Sequence, residues 1–186
     1  MPIDGLIYLP EYLDTDQQIR VLAAVDSSAW REDLRRRVQH YGYRYDYARK
    51  AVDQDQYLGP LPPWAGDLAE LLHAGTHAPH PLNQVIVNEY LPGQGISPHV
   101  DCAPCFADTV LSISLGSTCV MTMSHPTTGR SVDLLLEPGS LLILSGPARY
   151  EWRHGIASRK NDRWDGATLP RGRRVSLTFR TVLSPG

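Results

Sequence analysis

From residue 84 to residue 182 the chain is cut into short apolar runs by glycine and proline turns. Runs at 84–90, 109–115, 119–123, 132–136, 140–144 and 175–182 read as strands. Pro92-Gly93, Gly116-Ser117, Pro126 to Gly129, Pro138-Gly139 and Gly146-Pro147 supply the turns between them. Residues 109–115 alternate Val110, Ser112 and Ser114 against Leu111, Ile113 and Leu115, which is the two-residue period of a strand with one greasy face. Many short strands of this kind close into a sandwich or jelly roll. Ahead of them stand a strand at residues 5–9 and two short helices. Asp14 or Thr15 can cap the first, which runs to about Val25; the second, at 64–73, follows Pro60, Pro62 and Pro63 and can end at Gly75. The expected fold class is therefore mainly β with flanking helices. The polar stretch 158–173 reads as a surface loop.

A chain of 186 residues with 42% hydrophobic and 20% charged residues suits one globular domain. No apolar run is long enough to span a bilayer, and no basic-then-apolar leader is visible, so no membrane partner and a cytoplasmic location are expected. The three cysteines, an odd and low count, argue against a disulfide scaffold and fit a reducing compartment. Cys102-Ala103-Pro104-Cys105 also admits half a zinc site or a redox pair, but no second such pair exists. The formal charge of −2 gives no global pull toward nucleic acid; a local basic patch still can.

Chemistry concentrates in two places. His99 and Asp101 are two residues apart, the spacing that puts both on one face of a strand, and His154 can return from a later one. Two histidines and a carboxylate make the facial triad of non-haem Fe(II), which leaves other coordination positions open. The final strand carries Arg174, Ser176, Thr178 and Arg180 on one face and Val175, Leu177 and Phe179 on the other. Arginines on an inward face are expensive without anions, and a dicarboxylate is a good partner for two of them. Asn88 and Tyr90 share a face just upstream of His99 and can donate hydrogen bonds to the same ligand. Together these groups point to an oxygenase that uses Fe(II), O2 and 2-oxoglutarate.

These residues resemble the AlkB family of Fe(II)/2-oxoglutarate dioxygenases. The likeness runs from about Arg35 to Val182 and rests on the segment Asn88 to Asp101, on Ser112-Ile113-Ser114-Leu115-Gly116, Pro138-Gly139-Ser140-Leu141, Arg149-Tyr150 and Trp152-Arg153-His154-Gly155-Ile156. Within the family it is nearest the AlkB domain that in animals is fused to a tRNA methyltransferase; neither that methyltransferase nor its RNA-recognition module lies in this sequence. The resemblance implies a double-stranded β-helix, a cupin-like jelly roll. It implies one domain over 1–186, with helices and a nucleotide-recognition lid in 1–83 and the β-helix core in 84–183. It implies iron on His99, Asp101 and His154, and 2-oxoglutarate held by Asn88, Tyr90, Arg174, Ser176 and Arg180. Arg174 takes the distal carboxylate and Arg180 lies near the end that chelates iron. Ser176 stands where some members carry the longer Asn.

The stretch from Arg31 to Lys50 interleaves seven cations with Tyr41, Tyr43, Tyr45 and Tyr47. Cations grip phosphates and aromatic rings stack on unpaired bases; the same alternation also makes an ordinary β-hairpin. In the family this segment belongs to the lid, so Tyr43 is expected to stack on the base, with Arg36, Arg37 and Arg44 on phosphates. The expected partner is alkylated DNA or RNA, tRNA included, with no obligate protein partner, and the expected reaction is oxidative demethylation of a base. A tRNA hydroxylase or demethylase acting on a modified wobble-type uridine is the alternative. A small-molecule or protein hydroxylase would need the triad and arginines but not the basic, tyrosine-rich lid.

Overall fold

The computed structural model describes residues 2–32, 35–47, 49, 51–52, 54–75 and 77–183. Asp33 and Lys50 of the basic stretch lie outside the described residues. In chain order the elements are β1 (Leu6–Leu9), α1 (Thr15–Asp26), β2 (Val38–Tyr41), α2 (Pro63–Ala74), β3 (Gln84–Tyr90), β4 (Ile96–His99), β5 (Val110–Gly116), β6 (Cys119–Ser124), β7 (Ser131–Leu136), β8 (Leu141–Leu144), α3 (Gly146–Tyr150), β9 (Arg153–Ile156), β10 (Asn161–Trp164), β11 (Ala167–Pro170) and β12 (Arg174–Arg180). A larger antiparallel sheet has the order β1-β8-β5-β12-β3-β2, and a smaller one β4-β9-β6-β7. These antiparallel sheets bear out the expected mainly-β jelly roll.

Strand parity builds two separate interiors. On β5, Leu111, Ile113 and Leu115 join Val175, Leu177 and Phe179 of β12, Val85 and Val87 of β3, and Leu141 and Ile143 of β8. Against this face pack Val21 and Val25 of α1 and Leu68 and Leu72 of α2. The helices thus seal one side of the larger sheet with aliphatic groups, each contributing roughly 1.5–3 kcal/mol when fully buried. The opposite face looks toward the smaller sheet. There Leu142, Leu144, Met121, Met123, Trp152 and Ile156 form a second cluster that fills only part of the space. The polar face of β12 looks into what remains.

Helix α1 is capped as its sequence requires. The Asp14 side chain accepts from the Gln17 amide, and the Gln17 side chain accepts from the Asp14 amide. Helix α2 starts at Pro63, where a missing N–H costs nothing, and ends at Gly75. Two local readings need correction. Gly146-Pro147, read as a turn, opens the short helix α3. The stretch 158–173, read as a loop, contains the β10–β11 hairpin. Its two-residue turn is Asp165-Gly166, both with positive φ (47° and 78°), a combination that suits this residue pair and matches the twist of antiparallel strands.

That hairpin is pinned by one carboxylate. Asp162 is 1% exposed and accepts two hydrogen bonds from Arg171 (2.6 and 2.7 Å), one from Arg159 (2.7 Å) and one from the Val120 amide of β6 (3.0 Å). Burial pushes the Asp162 carboxyl up, but Arg171, the Val120 N–H and Arg159 outweigh it and hold it below its ordinary value. Asp162→Ala leaves the buried Arg171 uncompensated and is expected to cost roughly 3–5 kcal/mol, measured as a lowered denaturant midpoint. Because the folded state depresses this group, its stabilisation is complete above the ordinary value of 3.8 and fades as pH falls through the lower folded value. Asp162→Asn is therefore expected to flatten the acid limb of a stability-versus-pH curve.

Candidate active site

Between the two sheets lies a cavity of about 790 Å³, within the range of ligand sites. Its lining includes His99, Asp101, His154, Asn88, Tyr90, Arg174, Ser176 and Arg180, so every residue expected to hold metal or co-substrate faces one space. One donor atom from each of His99, Asp101 and His154 lies within 4.8 Å of the others. The strand register sets this up. β4 and β9 pair antiparallel with His99 opposite His154, and the two rings stand 4.4 Å apart. Gly155 permits the pairing, since a Cβ there would lie 2.9 Å from the Pro98 nitrogen. The His99 Nδ1 lies 2.8 Å from the Ser97 carbonyl, which leaves Nε2 for a metal, 3.6 Å from Asp101 Oδ1.

Asp101 is not delivered by strand parity, as the His-x-Asp spacing suggests. β4 ends at His99 after an irregular register, and Asp101 lies beyond it. Two arginines hold Asp101 instead. Arg149, 2% exposed on α3, donates to the Asp101 carbonyl (2.9 Å) and the Cys102 carbonyl (3.2 Å). Arg180 Nε donates to Asp101 Oδ2 at 3.0 Å. Burial pushes the Asp101 carboxyl up, yet Arg180, His99 and His154 more than reverse this and hold it well below the usual carboxylate range. Burial pushes His154 down to about 4, with Asp101 opposing and the charges of His99 and Arg180 assisting. The site therefore presents an ionised carboxylate and a neutral imidazole near neutral pH, the forms that ligate a metal.

Cys102 and Cys105 follow at once and are joined as a disulfide, with Cα atoms 5.3 Å apart. This departs from the low, odd cysteine count, which argues against disulfides. The cause is local: the Cys105 amide donates to the Cys102 carbonyl, folding the segment into a tight turn that brings the side chains together. Cys119 remains a buried free thiol.

The other end of the cavity is cationic. Arg174 is 2% exposed, and its Nη2 donates to Ser114 Oγ at 2.8 Å. Its Nε is buried with no partner among the described residues. An unpaired buried guanidinium nitrogen is costly, and an anion would relieve the cost. Tyr90 pairs with Arg174 in the β3–β12 register, and Asn88 pairs with Ser176. The Ser176 hydroxyl stands 3.0 Å from that of Ser112. Burial pushes the Tyr90 phenol up, so it stays protonated as a donor.

The tyrosine-rich stretch behaves differently from its alternation. β2 ends at Tyr41, and Gly42, with φ at 77°, turns the chain where a Cβ would lie 1.9 Å from the Asn83 carbonyl oxygen. The turn breaks parity. Tyr43 pairs with Tyr57, their rings 5.0 Å apart, and is not among the cavity residues. Tyr45 and Tyr47, edge to face at 5.0 Å, line the cavity together with Arg35 and Arg36. Burial pushes both phenols up. The arginines also divide. Arg37 is spent on the buried Glu89 at 2.6 and 2.8 Å and lies over Trp30. Arg36 turns inward onto Asn88. Arg44 alone of the three is exposed. Sequence reasoning thus missed Tyr45, Tyr47 and Arg35 as cavity residues, and it gave Arg149 no role. The signal for Arg149 was an arginine three residues after Gly146, on a helix start that reads as a turn.

Comparison with known proteins agrees with this geometry. A family model described as the 2OG-Fe(II) oxygenase superfamily matches residues 5–180. The chain is 37% identical over 203 residues to the Arabidopsis thaliana "Alkylated DNA repair protein ALKBH8 homolog", covering 97% of this chain and 59% of that protein. It is 40% identical over 200 residues to the Xenopus tropicalis "tRNA (carboxymethyluridine(34)-5-O)-methyltransferase alkbh8", covering 96% of this chain and 32% of that protein. The chain therefore spans only part of the length of these relatives. Among solved structures, "The structure of OsALKBH1" aligns with a TM-score of 0.72 at 19% identity over 97% of this chain and 100% of that one, a likeness of fold. The chain belongs to the 2OG-Fe(II) oxygenase superfamily, iron- and 2-oxoglutarate-dependent dioxygenases, and within it to the AlkB-type members.

Proposed function

We propose that this chain oxidatively removes alkyl groups from bases of DNA or RNA. The observation that carries the reading is one cavity lined by three chemically distinct groups: a His-Asp-His cluster, a buried arginine with an unpartnered Nε, and two phenols with an exposed arginine. The donor set suits Fe(II), because three ligands on one side leave the remaining positions open. Bound iron, with 2-oxoglutarate and O2, supplies the oxidising power for hydroxylating a carbon.

The chain's own residues position and shield. His99, Asp101 and His154 hold the metal. Arg174 pairs with the distal carboxylate through its otherwise unpartnered Nε, and Arg180, already on Asp101, stands near the chelating end. Asn88 and Tyr90 donate to the same ligand, with Ser176 beside them. Met121, Leu142, Leu144 and Ile156 make the walls apolar and limit water. At the mouth, Tyr45 and Tyr47 offer aromatic faces to a base taken out of its stack, as an enzyme acting on a base requires. Arg35 and Arg44 are exposed and can meet phosphates. Tyr43 braces the segment by packing on Tyr57 and, beside Tyr45, on the Phe106 cluster.

A second reading is favoured by one comparison: the name of the Xenopus relative concerns a modified tRNA uridine. There the target is a modified tRNA nucleoside, hydroxylated or demethylated in the same cavity.

His99→Ala and Asp101→Ala are each expected to abolish Mn(II) binding followed by electron paramagnetic resonance, and turnover with it. Tyr45→Ala or Tyr47→Ala is expected to lower kcat/KM for the nucleic acid about 5- to 150-fold, the equivalent of ~1–3 kcal/mol of stacking, with metal binding unchanged. The reading itself is tested by mass spectrometry of a single-stranded oligonucleotide carrying 1-methyladenine, incubated with iron and 2-oxoglutarate, with His99→Ala as control. Loss of the methyl group with the wild-type protein alone supports base repair. An untouched oligonucleotide beside a mass change in tRNA nucleosides overturns it in favour of the second reading.

A further inference from the structure

Arg36 sits where the lid meets the floor of the cavity. The Glu89 amide donates to the Arg37 carbonyl (3.0 Å), so the segment ahead of β2 already runs beside β3. Neighbouring residues on such a segment point to opposite sides. Arg37 goes outward to the Glu89 carboxylate, which Arg173 also holds at 2.6 Å. Arg36 goes inward, and its Nε donates to Asn88 Oδ1 at 2.9 Å. Its guanidinium lies 5.8 Å from the centre of the Tyr90 ring, and that of Arg174 lies 5.5 Å from the same ring. One lid residue therefore touches both neutral groups that stand beside Arg174.

The contact has a chemical consequence for Asn88. A guanidinium can only donate, so the amide must turn its oxygen toward Arg36. Its two N–H donors are then left for an acceptor elsewhere, and Asn88 lines the cavity. Free to flip, the amide would offer an acceptor to an anion as readily as a donor. Arg36 also adds a positive charge to the end of the cavity that already contains Arg174.

We propose that Arg36 is a positioning residue that couples the lid to the 2-oxoglutarate chamber. It fixes the donor orientation of Asn88, and an occupied chamber in turn holds the lid segment down. This rests on the reading that 2-oxoglutarate binds between Arg174 and the metal cluster. Coupling between two binding events is reciprocal, and a factor of about 5 to 150 is typical. Bound co-substrate and a seated lid segment then stabilise each other.

The test uses Mn(II)-loaded protein, which does not turn over. Binding of 2-oxoglutarate is measured by calorimetry, and cleavage of the lid by chymotrypsin at its tyrosines is followed with and without 2-oxoglutarate. Wild type is expected to bind 2-oxoglutarate and to gain protection in residues 41–57. Arg36→Met is expected to bind it about 5- to 150-fold more weakly and to lose that protection, while its Mn(II) affinity stays the same. Unchanged Mn(II) affinity also reports that the variant is folded. Arg36→Met that binds 2-oxoglutarate like wild type and keeps the protection, with only oligonucleotide affinity reduced, makes Arg36 a phosphate contact and overturns the proposal. Wild-type protein that binds 2-oxoglutarate without any protection of the lid overturns the coupling but leaves the co-substrate site standing. Wild-type protein that takes up Mn(II) but not 2-oxoglutarate overturns both.

Discussion

Arg180 and Asp101 meet at 3.0 Å where the last strand of the larger sheet reaches the His-Asp-His cluster. The two residues are 79 positions apart in sequence, and the rest of the site is organised around their pairing. Removing either charge from water is expensive, and the pair is worthwhile only with good geometry and further partners. Both conditions are met. Asp101 stands beside His99, its backbone is tied to Arg149, and Arg180 also reaches Gln84. The strand that carries Arg180 is in turn clamped between β3 and β5, with Val175, Leu177 and Phe179 locked into the helix-facing core. The hydrophobic face of β12 thus fixes the position of its charged face. Core packing on one side sets the placement of polar side chains on the other.

Much of this was legible in the sequence where a short-range rule governs. The alternation of Arg174, Ser176, Thr178 and Arg180 with Val175, Leu177 and Phe179 assigns each side chain to a face, and β12 keeps that assignment throughout. The capping box at Asp14 and the Pro63 start of α2 are equally local. Legibility ended where two distant segments decide together. The carboxylate of Asp101 was expected to project with His99 because both lie on one strand; instead arginines from α3 and β12 hold it beyond the strand end. Tyr43 carried the same pattern as Tyr45 and Tyr47, but a bridge to Tyr57, itself contributed by a distant part of the segment, takes it out of the cavity lining. The β10–β11 hairpin was hidden because its anchor, Asp162, looks polar in sequence, and only Arg171, Arg159 and Val120 make its burial affordable.

The short segment ahead of β2 serves two purposes. Arg37 binds Glu89, joining a network with Arg173 and Asp26 that ties this segment to β3 and α1. Its neighbour Arg36 faces the cavity. A hydrophobic segment could be anchored as firmly, but it would bring no charge to the cavity and no donor to Asn88. Tyr45 and Tyr47 line the same cavity, edge to face with each other.

The central claim is that metal, 2-oxoglutarate and base share this one cavity. The most direct measurement is an anaerobic optical titration of the Fe(II)-loaded protein. Added 2-oxoglutarate should produce the visible charge-transfer band of a 2-oxo acid chelated to Fe(II), and subsequent single-stranded nucleic acid carrying the modified base should shift that band. Absence of the band with iron demonstrably bound would contradict the shared metal and co-substrate site. A band that forms but ignores the nucleic acid would place the base elsewhere.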